Sequence, residues 1–218
     1  MSDADNTIPA ETAAEAGIPA RKRPKPGERR IQILQALASM LEQPGAERIT
    51  TAALAAKLEV SEAALYRHFA SKAQMFEGLI EFIEQAVFTL IGQIAERESA
   101  ATDPAAGARH AGKVVTMLLQ FAEKNPGMVR VMVGDALVFE NERLQQRMNQ
   151  FFDKIESTLK QCLREGAPAG SMTPTVDAQV QASVLTAFVV GRLQRFARSG
   201  FRRVPTEHLD ASLAQMLR

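Results

Sequence analysis

The sequence predicts an all-α chain of about nine helices, a three-helix head with a helix-turn-helix followed by a helical body. Apolar residues recur at three- and four-residue spacing through most of the 218 residues. Turn-forming clusters such as Pro44-Gly45 and Asn125-Pro126-Gly127 cut that periodicity into segments of helical length. Two of the early segments are short, begin at a capping hydroxyl and are joined by a tight Glu59-Val60 turn. With 46% hydrophobic residues the chain has enough apolar surface for a substantial core.

The elements follow in order. Residues 1–24, rich in Ala, Pro, Thr and Glu, are expected to form a disordered tail, acidic at first and then basic. A helix-turn-helix head is expected over 25–72 and a body over 73–218. Ile31, Leu34, Leu37, Ala38 and Leu41 mark the apolar stripe of the first helix, which Pro44-Gly45 ends. Thr50 caps a short helix over 51–58, and Ser61 caps the next over 61–69, with Glu62 placed favourably for its dipole. Ser71 with Gln74 reads as a capping box for a long helix carrying Phe76, Leu79, Ile80, Ile83, Val87, Leu90, Ile91 and Ile94. Past a loop at 99–104, helices are expected over 105–124, 128–139 and 141–164. A breaker-rich loop over 166–175, a helix over 177–198 and a last helix capped by Thr206 and running to Leu217 complete the chain.

Within the 61–69 helix, Leu65 and Phe69 share one face while Ala63, Tyr66 and Arg67 point the other way. That leaves a face of small residues flanked by donors, able to lie close in a major groove as the second helix of a helix-turn-helix. Tyr66 is the sole tyrosine of a chain without tryptophan. Charge placement supports the reading over that of an ordinary helical hairpin. Residues 1–20, 21–72 and 73–218 carry net charges of −4, +5 and 0, so the total of +1 conceals a basic module. Arg21, Lys22 and Arg23, in a Pro-containing run before the first helix, form a cationic arm suited to phosphates or a minor groove. The candidate DNA contacts are these three with Thr50, Thr51, Ser61, Ala63, Ala64, Tyr66, Arg67, His68 and Lys72. Tyr66 and His68 would donate to phosphates, and Thr51 would clamp the backbone from a helix N-terminus.

In the 177–198 helix the run 184–191 is apolar nearly all round, which requires a central helix or one shared with a second chain. A homodimer interface is expected here, through Val184, Phe188 and Arg195, and at the final helix; it suits two-fold symmetric DNA. Enzymatic readings are weaker. Ser157-Thr158-Leu159-Lys160 matches S-x-x-K without its companion motifs, so it reads as helix surface. His68, His110 and His208 lack ligand spacing, so no metal is expected, and no Gly-rich phosphate loop or other cofactor motif occurs. Cys162 reads as a small packing residue and excludes an intrachain disulfide. No run of 18 uninterrupted apolar residues suggests a membrane span, and the acidic N-terminus lacks a secretory h-region, so a cytoplasmic location is expected.

Thr51, the Val60-Ser61 turn, Leu65-Tyr66, His68-Phe69 and Ser71-Lys72 together resemble the TetR family of DNA-binding regulators. Further blocks are similar to the nucleoid occlusion factors within that family: Arg48-Ile49-Thr50-Thr51, residues 60–69, 79–84 and 124–127, Ala136-Leu137 with Phe139-Glu140, and Arg195-Phe196 with Arg198-Ser199 and Phe201. The resemblance implies homodimers on palindromic double-stranded DNA, two dimers sharing a site, located at the nucleoid. It also implies that the DNA-bound protein engages the C-terminal tail of the division GTPase FtsZ and antagonises ring assembly over the chromosome. The implied FtsZ groove holds Phe82, Leu90, Met117, Gln120, Lys124 and Asn125. Leu90 stands where the family pattern has Arg, Gln120 where it has Gly, and Lys124 where it has Arg; these departures bear on the strength of FtsZ binding. The alternative is a TetR-type transcriptional repressor responsive to a small hydrophobic ligand, held in a cavity lined by Met117, Phe121, Met128 and Met132.

Overall fold

A computed structural model describes residues 27–43, 49–98, 105–165 and 175–217. Among these it contains helices and turns and no strand. The head comprises α1 (Glu28–Leu41), α2 (Thr51–Lys57) and α3 (Glu62–Tyr66). The body comprises α4 (Lys72–Glu98), α5 (Ala106–Lys124), α6 (Pro126–Met132), a 3₁₀ turn at Asp135–Leu137, α7 (Glu142–Glu165), α8 (Thr175–Arg198) and α9 (Leu209–Met216). The loop expected over 166–175 falls outside the described residues up to position 174, as does the Pro44-Gly45 turn.

Local chemistry explains most of the boundaries. The Thr50 hydroxyl accepts from the Ala53 N–H at 3.1 Å and the Ser61 hydroxyl from the Ala64 N–H at 3.2 Å, so both short helices begin at side-chain caps. Glu59, between them, has φ 54°, a left-handed turn conformation. At the start of α4, Ser71 Oγ accepts from the Gln74 N–H, but the Gln74 side chain reaches one residue further back than a capping box requires, to the Ala70 N–H.

Three expectations require correction. Ile31 is 53% exposed and Ile33 is buried in its place. Leu37, Ala38 and Leu41 are buried as expected, and only in the first turn does packing on α2, α4 and α6 take Ile33 in place of Ile31. The helix expected over 128–139 is broken at Gly134, whose φ of 85° ends α6 before the 3₁₀ turn. Thr206 does not cap α9: its hydroxyl donates to Glu123 Oε2 at 2.5 Å, and α9 starts after His208, a residue at φ 54°.

In the body α7 packs on α8, α5 lies against both, and α4 covers α5 and α7. Phe151, Ile155 and Leu159 of α7 meet Leu185, Val189 and Leu193 of α8 in one core that also takes in Leu37, Leu54, Leu65 and Phe69 of the head. α4 crosses from one part to the other. By length and composition α4 could span a membrane, but Phe76, Leu79, Ile80, Ile83 and Val87 are buried in this core. Arg147 of α7 grips Glu84 of α4 through two N–H···O bonds of 3.3 and 2.6 Å. That hydrogen bonding raises the arginine pKa further above its ordinary value and keeps the guanidinium charged.

Candidate functional site

The first candidate surface is built by α2 and α3. Leu65 and Phe69 are buried, which turns Ala63, Tyr66, Arg67 and His68 outward as the helical spacing requires; Ala64 is half-buried. Thr50 and Ser61 stand at the N-termini of the two helices, their hydroxyl oxygens engaged as caps and their protons left for an acceptor. Tyr66 is 45% exposed. Its hydroxyl donates to Thr51 Oγ1 at 3.4 Å, and Thr51 Oγ1 in turn donates to Glu62 Oε2 at 2.6 Å. This Tyr66–Thr51–Glu62 relay ties the start of α2 to α3. Because Thr51 already gives its proton to Glu62, the Thr51 hydroxyl is arranged as an acceptor. Its hold on a phosphate would come from the helix N-terminus beside it.

The spacing of the sequence did not single out Glu62 as a relay partner, nor Arg30 at all. Arg30 donates to the His68 carbonyl at 3.0 Å, and its guanidinium lies 4.1 Å from the centroid of the Phe69 ring. It thus fastens α1 to the turn that follows α3. Lys72 is likewise engaged inside the protein: its ammonium lies 2.5 Å from Glu140 Oε1, joining the start of α4 to the segment before α7. A phosphate contact by Lys72 would have to compete with this ion pair. Arg21, Lys22 and Arg23 lie outside the described residues.

The second surface is a groove between α4 and α5. It is open, encloses about 400 Å³ and is lined from α4 by Leu90, Gln93, Ile94 and Arg97, and from α5 by Lys113, Thr116, Met117 and Gln120. Of the residues proposed for a partner groove, the structure therefore brings Leu90, Met117 and Gln120 together. Phe82 stands eight residues before Leu90, about 12 Å along the helix, on the side toward the head. It is 43% exposed, far more than a core phenylalanine. Lys124, at the end of α5, is exposed, and Asn125 is half-buried with its amide donating to the Phe121 carbonyl at 2.7 Å. Phe82, Lys124 and Asn125 are not among the residues that line the groove.

The run 184–191 is not buried on every side within one chain. Leu185 and Val189 face the core, but Val184 is 49% exposed, Phe188 is half-buried and Arg195 is exposed. Elsewhere, Ser157 and Thr158 donate their hydroxyls to the carbonyls one turn back, Asp153 and Lys154, as helix-surface residues do. Cys162 is buried among the core side chains.

Comparison with known proteins agrees with this architecture. Residues 33–79 match the family described as bacterial regulatory proteins, tetR family, and residues 109–218 match the SlmA-like, tetracyclin repressor-like C-terminal domain. The chain is 51% identical to the nucleoid occlusion factor SlmA of Idiomarina loihiensis, over 84% of this chain and 90% of that one. It is 50% identical to SlmA of Vibrio vulnificus strain YJ016, over 85% and 92%. Among solved structures, the regulator FadR from Bacillus subtilis, in complex with stearoyl-CoA, has the same fold at a TM-score of 0.68 and 14% identity, over 86% of this chain and 97% of that one. PfmR from Thermus thermophilus shares it at a TM-score of 0.62 and 23% identity, over 87% and 95%. By domain matches and by half-identity over most of both chains, this chain belongs to the SlmA nucleoid occlusion factors of the TetR family.

Proposed function

We propose that the chain works as a DNA-activated antagonist of FtsZ assembly, a homodimer stationed on the nucleoid in the cytoplasm. The observation that carries the proposal is the half-identity to nucleoid occlusion factors over nearly their whole length. The two surfaces supply a mechanism. α2 and α3 would enter the major groove of a palindromic double-stranded site, Ala63 and Ala64 permitting close approach while Tyr66, Arg67 and His68 hold phosphates. The cations Arg21, Lys22 and Arg23 would follow the flanking backbone, and two dimers would share one site. The α4–α5 groove, together with Phe82, Lys124 and Asn125, would take the C-terminal tail of FtsZ. Binding and positioning are all that this requires, and no reaction is assigned to the chain.

Dimerisation would use the outward face of α8. Val180 and Val184 are exposed there one turn apart, and a β-carbon added at Gly191, two turns on, would meet no atom of the described chain within 4 Å. A mid-helix glycine costs roughly 0.5–1 kcal/mol relative to alanine, and close approach of a second α8 gives that cost a reason.

The cellular test uses a strain deleted for this gene in which chromosome segregation is blocked. Z rings should then form over unsegregated DNA and return to nucleoid-free regions when the gene is restored. Rings excluded from the nucleoid equally well with and without the gene would reject the proposal.

A further inference from the structure

The α4–α5 groove lies beyond Phe82 along α4, lined from Leu90 to Arg97 and from Lys113 to Gln120, and its far end is chemically distinct. Leu90, Ile94 and Met117 give it an apolar floor, beyond which Arg97 of α4 and Lys113 of α5 both line the wall. Among the eight lining residues these are the only charged ones. Lys113 and Lys124 are eleven residues apart, three turns of α5, so they fall on one line of the helix surface. The groove thus ends in two cations beyond an apolar stretch, while Lys124 stands four residues past Gln120 on α5.

We propose that Arg97 and Lys113 are a second anchoring point of the groove, which reads an acidic residue of the bound peptide at a fixed distance from the apolar residue seated at Phe82. This rests on the groove being the FtsZ-tail site. Packed helices approach to roughly 8–10 Å, so the furrow between them suits one extended strand better than a helix of 10–12 Å diameter. Fifteen residues separate Phe82 from Arg97. At about 1.5 Å per helical residue that is some 22 Å, which about seven residues of extended peptide would cover. The partner segment is therefore an acidic peptide with an apolar residue and a carboxylate about seven positions apart. Two cations at one end of the groove would hold that carboxylate more firmly than either does alone, each by the modest amount that an exposed charge supplies.

Fluorescence anisotropy with the labelled FtsZ C-terminal tail peptide and full-length protein saturated with its DNA site tests the inference. Arg97→Gln and Lys113→Gln should each weaken binding about three- to tenfold. A peptide series with its acidic residues changed singly to amides should contain one member for which those two substitutions have no further effect. That residue should lie about seven positions from the apolar residue coupled in the same way to Phe82→Ala. If Phe82→Ala abolishes binding while Arg97→Gln and Lys113→Gln leave it unchanged, or weaken every peptide of the series alike, the second anchor is wrong and the groove stands. If the tail peptide fails to bind the parent protein, or binds the folded Phe82→Ala variant equally well, the groove assignment itself falls and the anchor with it. Circular dichroism of each variant separates loss of fold from loss of contact.

Discussion

The carbonyl oxygen of Ala38 in α1 occupies the place where a β-carbon on Gly127 in α6 would have to stand. No side chain fits between these two helices, and glycine is what lets α6 of the body seat directly on α1 of the head. Because the obstacle is backbone, it cannot rotate away. Gly127→Ala should therefore force the helices apart and destabilise the protein by about 1–3 kcal/mol, the usual cost of overpacking. At roughly 2–4 °C per kcal/mol for a chain of this size, thermal melting should show a loss of about 2–12 °C. An unchanged melting temperature would mean that head and body are not docked as described.

The same contact shows what the sequence could and could not reveal. Asn125-Pro126-Gly127 reads as a chain breaker. In the structure Pro126 is the first residue of α6, where a missing N–H costs little, and Gly127 is a packing contact. Local chemistry made the caps at Thr50 and Ser61, the alternation of Leu65 and Phe69 with Tyr66 and Arg67, and the long α4 legible, because each depends on neighbours within a turn or two. Ile33, Arg30 and Glu140 were missed for the opposite reason: each is placed by a partner many residues away, 38 in the case of Arg30 and His68. The groove was identified by family resemblance, and no periodicity in α4 or α5 would have disclosed it.

DNA binding should be strongly salt dependent. If each dimer neutralises on the order of 6–10 phosphates, the log–log slope of affinity against salt should be about −5 to −9. Thr51→Ala removes the link between Tyr66 and Glu62 and leaves both side chains unanchored at the surface. Anisotropy titrations should show about tenfold weaker binding, ~1.4 kcal/mol, and by the same factor at every site, since the contact is to backbone. A slope near zero, or a Thr51→Ala effect confined to one sequence, would contradict the assigned roles.

Gly191→Leu tests the dimer face without disturbing the monomer. A β-carbon at 191 meets no described side chain within 4 Å, so the far-ultraviolet circular dichroism should be retained. In sedimentation velocity the species should shift from dimer toward monomer, and Val184→Asp should do the same by placing a charge in an apolar interface. A variant as dimeric as the parent would move the interface elsewhere.

Phe82→Ala should cost about 1–2 kcal/mol of stability, because its half-exposed ring loses less than the roughly 3–5 kcal/mol typical of a buried phenylalanine. DNA affinity should be unchanged, since Phe82 and the α2–α3 face share no contact and distant substitutions add independently within about 0.5 kcal/mol. Capture of FtsZ by the DNA-bound protein should be lost. Leu90→Arg with Gln120→Gly, by adding a cation and removing bulk at the groove wall, should strengthen it.

Whether DNA switches on FtsZ antagonism is read by cosedimentation of FtsZ polymers with the purified protein, in the presence and absence of its DNA site. The DNA-bound dimer should associate with FtsZ and reduce the polymer recovered in the pellet, while protein without DNA should do so weakly. Equal behaviour of the parent protein with and without DNA, or no effect on FtsZ in either state, would contradict it.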